Sequence, residues 1–286
     1  MLAIKASRPV SIKFSFEKAF HSLEKQITES KRAPHADGWG FGFYKIMDDT
    51  KQLQVIKGAG KEAQQPFHEY FSEIEQVLPE IESDIIISHV RKASNPPTNQ
   101  RNAQPFGLGK YVFAQNGSIK QPEKIIELLD DEVKSRPPPL PEQYNDSEIY
   151  FRLILQEFKE SGSIIKAIQE AVTIIKERSN YSGLNFFLSD GAKLYVYCDA
   201  KDITANEQYY QLYFTKRKVG SDDTFSHVSK ESCLAMDSSN FPDDVVLIAS
   251  EQITANGCEP WFSLKKEHLM IVDEDMQMTI KRLMEF

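Results

Sequence analysis

Asp84-Ile85-Ile86-Ile87-Ser88-His89-Val90-Arg91-Lys92-Ala93-Ser94 runs a block of apolar residues straight into a polar island. The apolar part, Asp84–His89, is the length of a short buried strand. Arg91 follows that strand at once, with Ser94 three residues later. An arginine at a strand end offers a planar fork that suits a carboxylate, and a nearby hydroxyl can add a further bond. Taken alone, the same arginine also fits an ordinary surface ion pair.

Working outward, three more islands sit beside strand-like runs. Upstream is His35-Ala36-Asp37-Gly38-Trp39-Gly40, whose glycines allow a turn or close backbone packing. Downstream, Tyr111–Gln115 leads into Asn116-Gly117-Ser118. Asn-Gly is a strong turn signal; it could also aim the Asn116 amide and the Gly117 N–H at a developing oxyanion. Last comes Asn145-Asp146-Ser147-Glu148 before an apolar helical run. That pattern reads as a helix start, with acidic residues favoured by the dipole. A carboxylate fixed there can also receive an ammonium group.

The rest of the chain bounds the function. Its 286 residues are 41% hydrophobic and 27% charged, enough for a substantial core. A net charge of −8 and a pI near 5.4, with no basic block, argue against nucleic acid or an anionic membrane as partner. Cys198, Cys233 and Cys258 are odd in number and widely spaced, which predicts a reducing cytosol rather than a disulfide framework, and no metal-ligand spacing. No signal-like segment opens the chain and no apolar run is long enough to span a bilayer, so a soluble cytoplasmic protein is expected.

Periodicity predicts strands at Met1–Ala6, Gly40–Ile46, Leu53–Gly58, Leu184–Leu188, Leu194–Cys198, Tyr209–Lys216, Asp244–Ser250, His268–Val272 and Met276–Ile280. Helices are predicted at Phe16–Thr28, Phe67–Leu78 and Lys124–Val133, with Ser147–Ile175 as two helices broken near Gly162. Pro137-Pro138-Pro139-Leu140-Pro141 sets an extended segment between them. There is no internal repeat and no clean linker, so residues 1–286 are expected to form one domain. Early and late strand sets around a central helical block suggest two sheets with helices outside.

The order and spacing of the four islands resemble the class II glutamine amidotransferases of the N-terminal-nucleophile (Ntn) hydrolase type, in their stand-alone branch. Gly183-Leu184-Asn185-Phe186, Ser189-Asp190-Gly191, Ala249-Ser250-Glu251 and Trp261 extend the resemblance over nearly the whole chain. The resemblance implies an α+β fold, a four-layer αββα sandwich of two mainly antiparallel sheets. It implies that Arg91 and Ser94 hold the α-carboxylate of glutamine or a γ-glutamyl compound, and that Asp146 binds its α-ammonium. Asn116 and Gly117 would form the oxyanion hole, with Asp37, Gly38, Trp39, Gly40 and His89 in support. No cofactor or metal is implied, and either a separate synthetase would take the ammonia or the enzyme would be a plain amidohydrolase acting on a γ-glutamyl compound. Gln104 and Gln115 stand where the family often has histidine, which predicts altered supporting hydrogen bonds rather than lost chemistry.

The family attacks with an N-terminal cysteine whose free amine acts as base. On the register of the match that cysteine belongs two residues before Met1, and Cys198, Cys233 and Cys258 all lie in late segments. Either a short Met-Cys-x segment precedes Met1, or the chain is a relative that binds a glutamyl ligand, or serves as a scaffold subunit, without cleaving anything. The intact binding constellation favours the first reading; residues 1–286 alone are then expected to be inactive.

Overall fold

Residues along strand β1 (Leu2–Ser11) alternate between two apolar layers: Leu2, Ile4 and Ala6 enter one, Met1 and Ala3 the other. This period-2 split recurs on every central strand and gives the molecule its layers. The computed structural model describes residues 1–12, 37–59, 67–91, 100–136, 139, 144–201, 210–218, 244–253 and 260–286, with backbone alone at 67–71 and 217–218. The expected helix Phe16–Thr28 lies outside the described residues, as does most of the proline run.

Among the described residues one sheet has seven strands. β1 is central, flanked by β4 (Glu82–Arg91) and β10 (Asp244–Ala249). Beyond β4 come β2 (Gly38–Met47) and edge strand β3 (Thr50–Gly58); beyond β10 come β9 (Leu212–Lys218) and β11 (Phe262–Leu264). The second sheet orders β13 (Met278–Arg282), β12 (His268–Val272), β8 (Leu194–Cys198), β7 (Asn185–Ser189), β6 (Tyr111–Asn116) and β5 (Phe106–Leu108). Every pairing given is antiparallel.

Between the sheets lie Met1, Ala3, Ile85, Ile87, Val246 and Ile248 against Val112, Ala114, Phe187, Val196 and Met270. Helix α1 (Phe67–Val77) covers the outer face of the first sheet through Ile74, beside Leu2, Ile4 and Phe41. The outer face of the second carries α4 (Asp146–Ser161) and α5 (Ile164–Arg178). Phe151 of α4 stacks on Phe113 of β6 at 5.2 Å. The four-layer αββα sandwich expected from the resemblance is the architecture found.

Gly162 ends α4 at φ 65°, the left-handed conformation that glycine adopts without strain, so the predicted break near it is correct. The single helix predicted over Lys124–Val133 is instead two short ones, α2 (Glu123–Ile126) and α3 (Asp131–Ser135). Gln156 of α4 causes the break: its side chain accepts from the Asp130 N–H at 2.8 Å and donates to the Leu128 carbonyl at 3.1 Å. A tertiary contact thus overrides a local period. β5 and β11 escaped the sequence because three residues are too few to show alternation.

Candidate functional site

Arg91 ends β4 on the face turned between the sheets, two residues past His89 and in step with Ile85 and Ile87. Both side chains are buried. Across the ladder Gly38 pairs with Arg91 and Gly40 with His89, and the Asp37 N–H donates to the Arg91 carbonyl at 3.0 Å. Burial lowers the Arg91 pKa, while the nearby carboxylates of Asp37 and Asp146 raise it. Guanidinium stays charged at any ordinary pH. The island Asp37-Gly38-Trp39-Gly40 and the island His89-Arg91 are therefore neighbours on paired strands.

The glycines of β2 let the second sheet close in. A Cβ on Gly40 would overlap the Gln104 carbonyl, and one on Gly42 would overlap Val112 of β6. Trp39 points to the other side, into the outer layer beside Phe41 and over Gly58, where it is core. It packs in that layer rather than on the inter-sheet face.

Asn116 closes β6 opposite Asn185 of β7, and both Asn116 and Gly117 are half-exposed. Gly117 has φ 140°, and a Cβ there would overlap the backbone of Gly183. Two residues beyond Gly117, the Ile119 N–H donates to Asp146 Oδ2 at 2.7 Å. Asp146 is the first residue of α4, while Asn145 is the cap, accepting from the Ser147 N–H at 2.9 Å. The helix start expected from sequence is found, with Asn145 as its cap, while Asp146 makes its bond to the loop after β6. Burial raises the Asp146 pKa, opposed by backbone N–H groups and by the Arg91 charge.

Gln104 and Gln115 tie these parts together. Gln104 Oε1 accepts from the Gln115 N–H at 2.7 Å and its amide donates to Ser147 Oγ at 3.3 Å. Gln115 Nε2 donates to the Gly183 carbonyl at 3.0 Å. One glutamine thus joins β6 to the first turn of α4, and the other holds the segment before β7 that backs Gly117. Ser94, His35 and Ala36 lie outside the described residues, as do Cys233 and Cys258. Cys198 is buried at the end of β8, and burial pushes its thiol up to about 12, which leaves it protonated and inert. Among the described residues no cluster of His, Cys, Asp and Glu could hold a metal, and no helix is long and apolar enough to cross a membrane.

The Met1 amine is buried in the same region. It donates to Ser250 Oγ at 2.9 Å, and the Ser250 N–H donates to the Met1 carbonyl at 3.1 Å. Desolvation lowers its pKa from 8.0 to about 6, against the opposing pull of Glu251. An amine held below its unfolded pKa binds fewer protons folded than unfolded between those values, so stability rises with pH across that window. For the chain that starts at Met1, urea melts should show about 2 kcal/mol more stability at pH 8 than at pH 6. A control in which the Met1 nitrogen is part of a peptide bond should lose that increment; an equal slope in both would refute the assignment.

The sequence did not reveal that the Ile119 N–H fixes Asp146, because a backbone donor leaves no mark in composition. Arg91, Asp146, Asn116 and Gly117, far apart in the chain, gather where β4, β6 and α4 meet. The family model for class-II glutamine amidotransferases matches residues 1–284. YafJ of Escherichia coli (strain K12), which carries a glutamine amidotransferase name, is 24% identical over 271 residues, 91% of this chain and 92% of its own. A Haemophilus influenzae relative is 23% identical over 206 residues, 69% of this chain, and that match spans 62% of the relative's length. A glutamine aminotransferase class-II domain protein from Silicibacter pomeroyi has the same fold, with TM-score 0.56 at 15% identity over 99% of this chain and 98% of that one. The glutamine phosphoribosylpyrophosphate amidotransferase of B. subtilis aligns with TM-score 0.58 at 15% identity over 99% of this chain and 48% of its own. With the whole-chain family match and the two-sheet sandwich in agreement, this chain belongs to the class-II glutamine amidotransferases.

Proposed function

We propose that the protein, as one amidotransferase domain, hydrolyses the γ-amide of glutamine or of a γ-glutamyl compound. Arg91, with Ser94, takes the α-carboxylate. Asp146 takes the α-ammonium, and the Asn116 amide with the Gly117 N–H receives the oxyanion. The observation that carries this reading is the placing of a buried guanidinium and a helix-start carboxylate within electrostatic reach of each other, beside the β6 turn. One fixed cation and one fixed anion that feel each other's charge suit the two charged groups of an α-amino acid.

The nucleophile in this reading is a cysteine two positions ahead of Met1. The ladder supports it. Leu2 pairs with Ser88 and with Ala249, so Met1 lies opposite His89 and Ser250. Continuing β1 by two residues sets that position opposite Arg91, on the same inter-sheet face as Met1 and Ala3. Its thiolate attacks the amide carbon, and its α-amine holds the thiol proton and passes it to the leaving nitrogen. The C–N bond breaks, ammonia departs and a thioester remains. Water then adds to the thioester, yielding the γ-carboxylate and restoring the thiol. A cytosolic setting goes with the reading, and the ammonia goes to solution or to a separate synthetase.

The chain of residues 1–286, placed beside one extended by Met-Cys-x, tests the proposal. Calorimetry with glutamine should show binding to both, and a glutaminase assay should show turnover in the extended chain alone. Binding in both with turnover in neither would instead establish a glutamyl-binding module. Binding in neither would refute the site altogether.

A further inference from the structure

On the far side of the first turn of α4 from Asp146 lies a crevice of about 230 Å³, where edge strands β3 and β5 face each other. Val55, Phe106, Leu108 and Phe151 form its apolar wall, and Lys57, Arg101, Glu148 and Arg152 bring charge to it. Glu148 is the centre of an ion-pair chain. It accepts from Arg101 Nη2 at 2.9 Å and from Arg152 Nη2 at 2.9 Å. Arg152 is sealed in the core; its Nε also donates to Glu148, and its Nη1 donates to the Val133 and Arg136 carbonyls. With three cations and one carboxylate, the wall carries an excess positive charge in a poorly solvated place.

Two donors on that wall have capacity to spare. Lys57 Nζ, 4.9 Å from the centre of the Phe106 ring, donates to the Ala103 carbonyl at 2.8 Å and the Arg101 carbonyl at 3.2 Å. An ammonium has three N–H groups, so one is left. Arg101 Nη2 is taken by Glu148 and the Pro139 carbonyl, whereas Arg101 Nε is buried with no hydrogen-bond partner among the described residues. A buried unmet donor is costly, and it marks a place where an acceptor would be held. Burial lowers the Lys57 pKa to about 8, with Glu148 supporting and Arg101 opposing its charge, so it is mostly cationic at pH 7.

We propose that this crevice is a binding site for a small monocarboxylate with an apolar body. The carboxylate oxygens accept from Lys57 and Arg101, and the body lies against Phe106, Leu108 and Phe151. The volume is below the roughly 300–1,000 Å³ of pockets for drug-sized ligands, which sets the class as small. Glu148 disfavours a dianion such as phosphate, and the apolar wall disfavours a wholly polar ion. This site does not depend on the reading of the glutamine pocket.

Benzoate is the probe, titrated by calorimetry into the chain of residues 1–286, with benzyl alcohol and inorganic phosphate as controls. One benzoate should bind per chain, and both controls should bind at least about tenfold more weakly. Lys57→Met and Arg101→Gln should each weaken benzoate at least about tenfold. Val55→Phe keeps every charge but fills the crevice, and should abolish binding while circular dichroism shows the chain still folded. Arg91→Ala should leave benzoate affinity unchanged, and excess glutamine should not displace the probe. No benzoate binding, binding that survives Lys57→Met and Arg101→Gln, equal binding of benzyl alcohol or phosphate, or loss on Arg91→Ala would each overturn the proposal.

Discussion

Glutamine affinity should fall at least about a hundredfold when Arg91 is replaced by alanine, as measured by calorimetry on the chain of residues 1–286. Arg91 is 5% exposed, so its charge sits where water screens it little. Truncating one partner of a desolvated, hydrogen-bonded charge pair costs about 2–5 kcal/mol, much of it from the charge left alone. Here that charge is the ligand carboxylate, and Asp146 also loses a cation that partly offsets the rise burial imposes on its pKa. Arg91→Lys should recover only part of the loss, because ammonium keeps the charge but not the planar fork. An unchanged affinity in Arg91→Ala would show that the carboxylate is bound elsewhere.

The second large effect is expected at Gly117. Its φ of 140° is closed to side-chain-bearing residues, and a Cβ would drive into the backbone of Gly183 rather than a yielding side chain. Gly183 cannot retreat easily: Gln115 Nε2 holds its carbonyl, and a Cβ there would itself press on the Tyr210 ring. Gly117→Ala should therefore cost about 2–4 kcal/mol in urea denaturation. In the chain extended by Met-Cys-x the displaced N–H should cut turnover by about 10²–10³. Wild-type stability together with wild-type turnover in Gly117→Ala would refute both the strain and the oxyanion assignment.

Lys57 shows why part of the molecule was illegible beforehand. In sequence it is one lysine on an exposed-looking hairpin. Gly40 pairs with it across β2 and β3, and the absence of a Cβ at Gly40 lets Gln104 approach there. The loop from Arg101 to Ala103 then covers the amine. Burial of that lysine depends on a contact between two sheets, which no local period records. Gln156 breaking the predicted helix at Asp130, and Ile119 fixing Asp146, belong to the same class of facts.

The strands were legible because each central one buries both faces. Met1 and Ala3 against Leu2 and Ile4, or Phe113 against Val112 and Ala114, write their layer into a period of two. The stop at Gly162 was legible because a left-handed cap favours one residue type. The polar islands and their order were likewise fixed by the chain alone, and with them the family. What the chain alone could not express is distance. Arg91, Asn116 and Asp146 come together only because two sheets stack and α4 docks on one of them. Which donor meets which carboxylate was then decided by tertiary packing, since hydrogen bonds act over a few ångströms in space and not along the sequence.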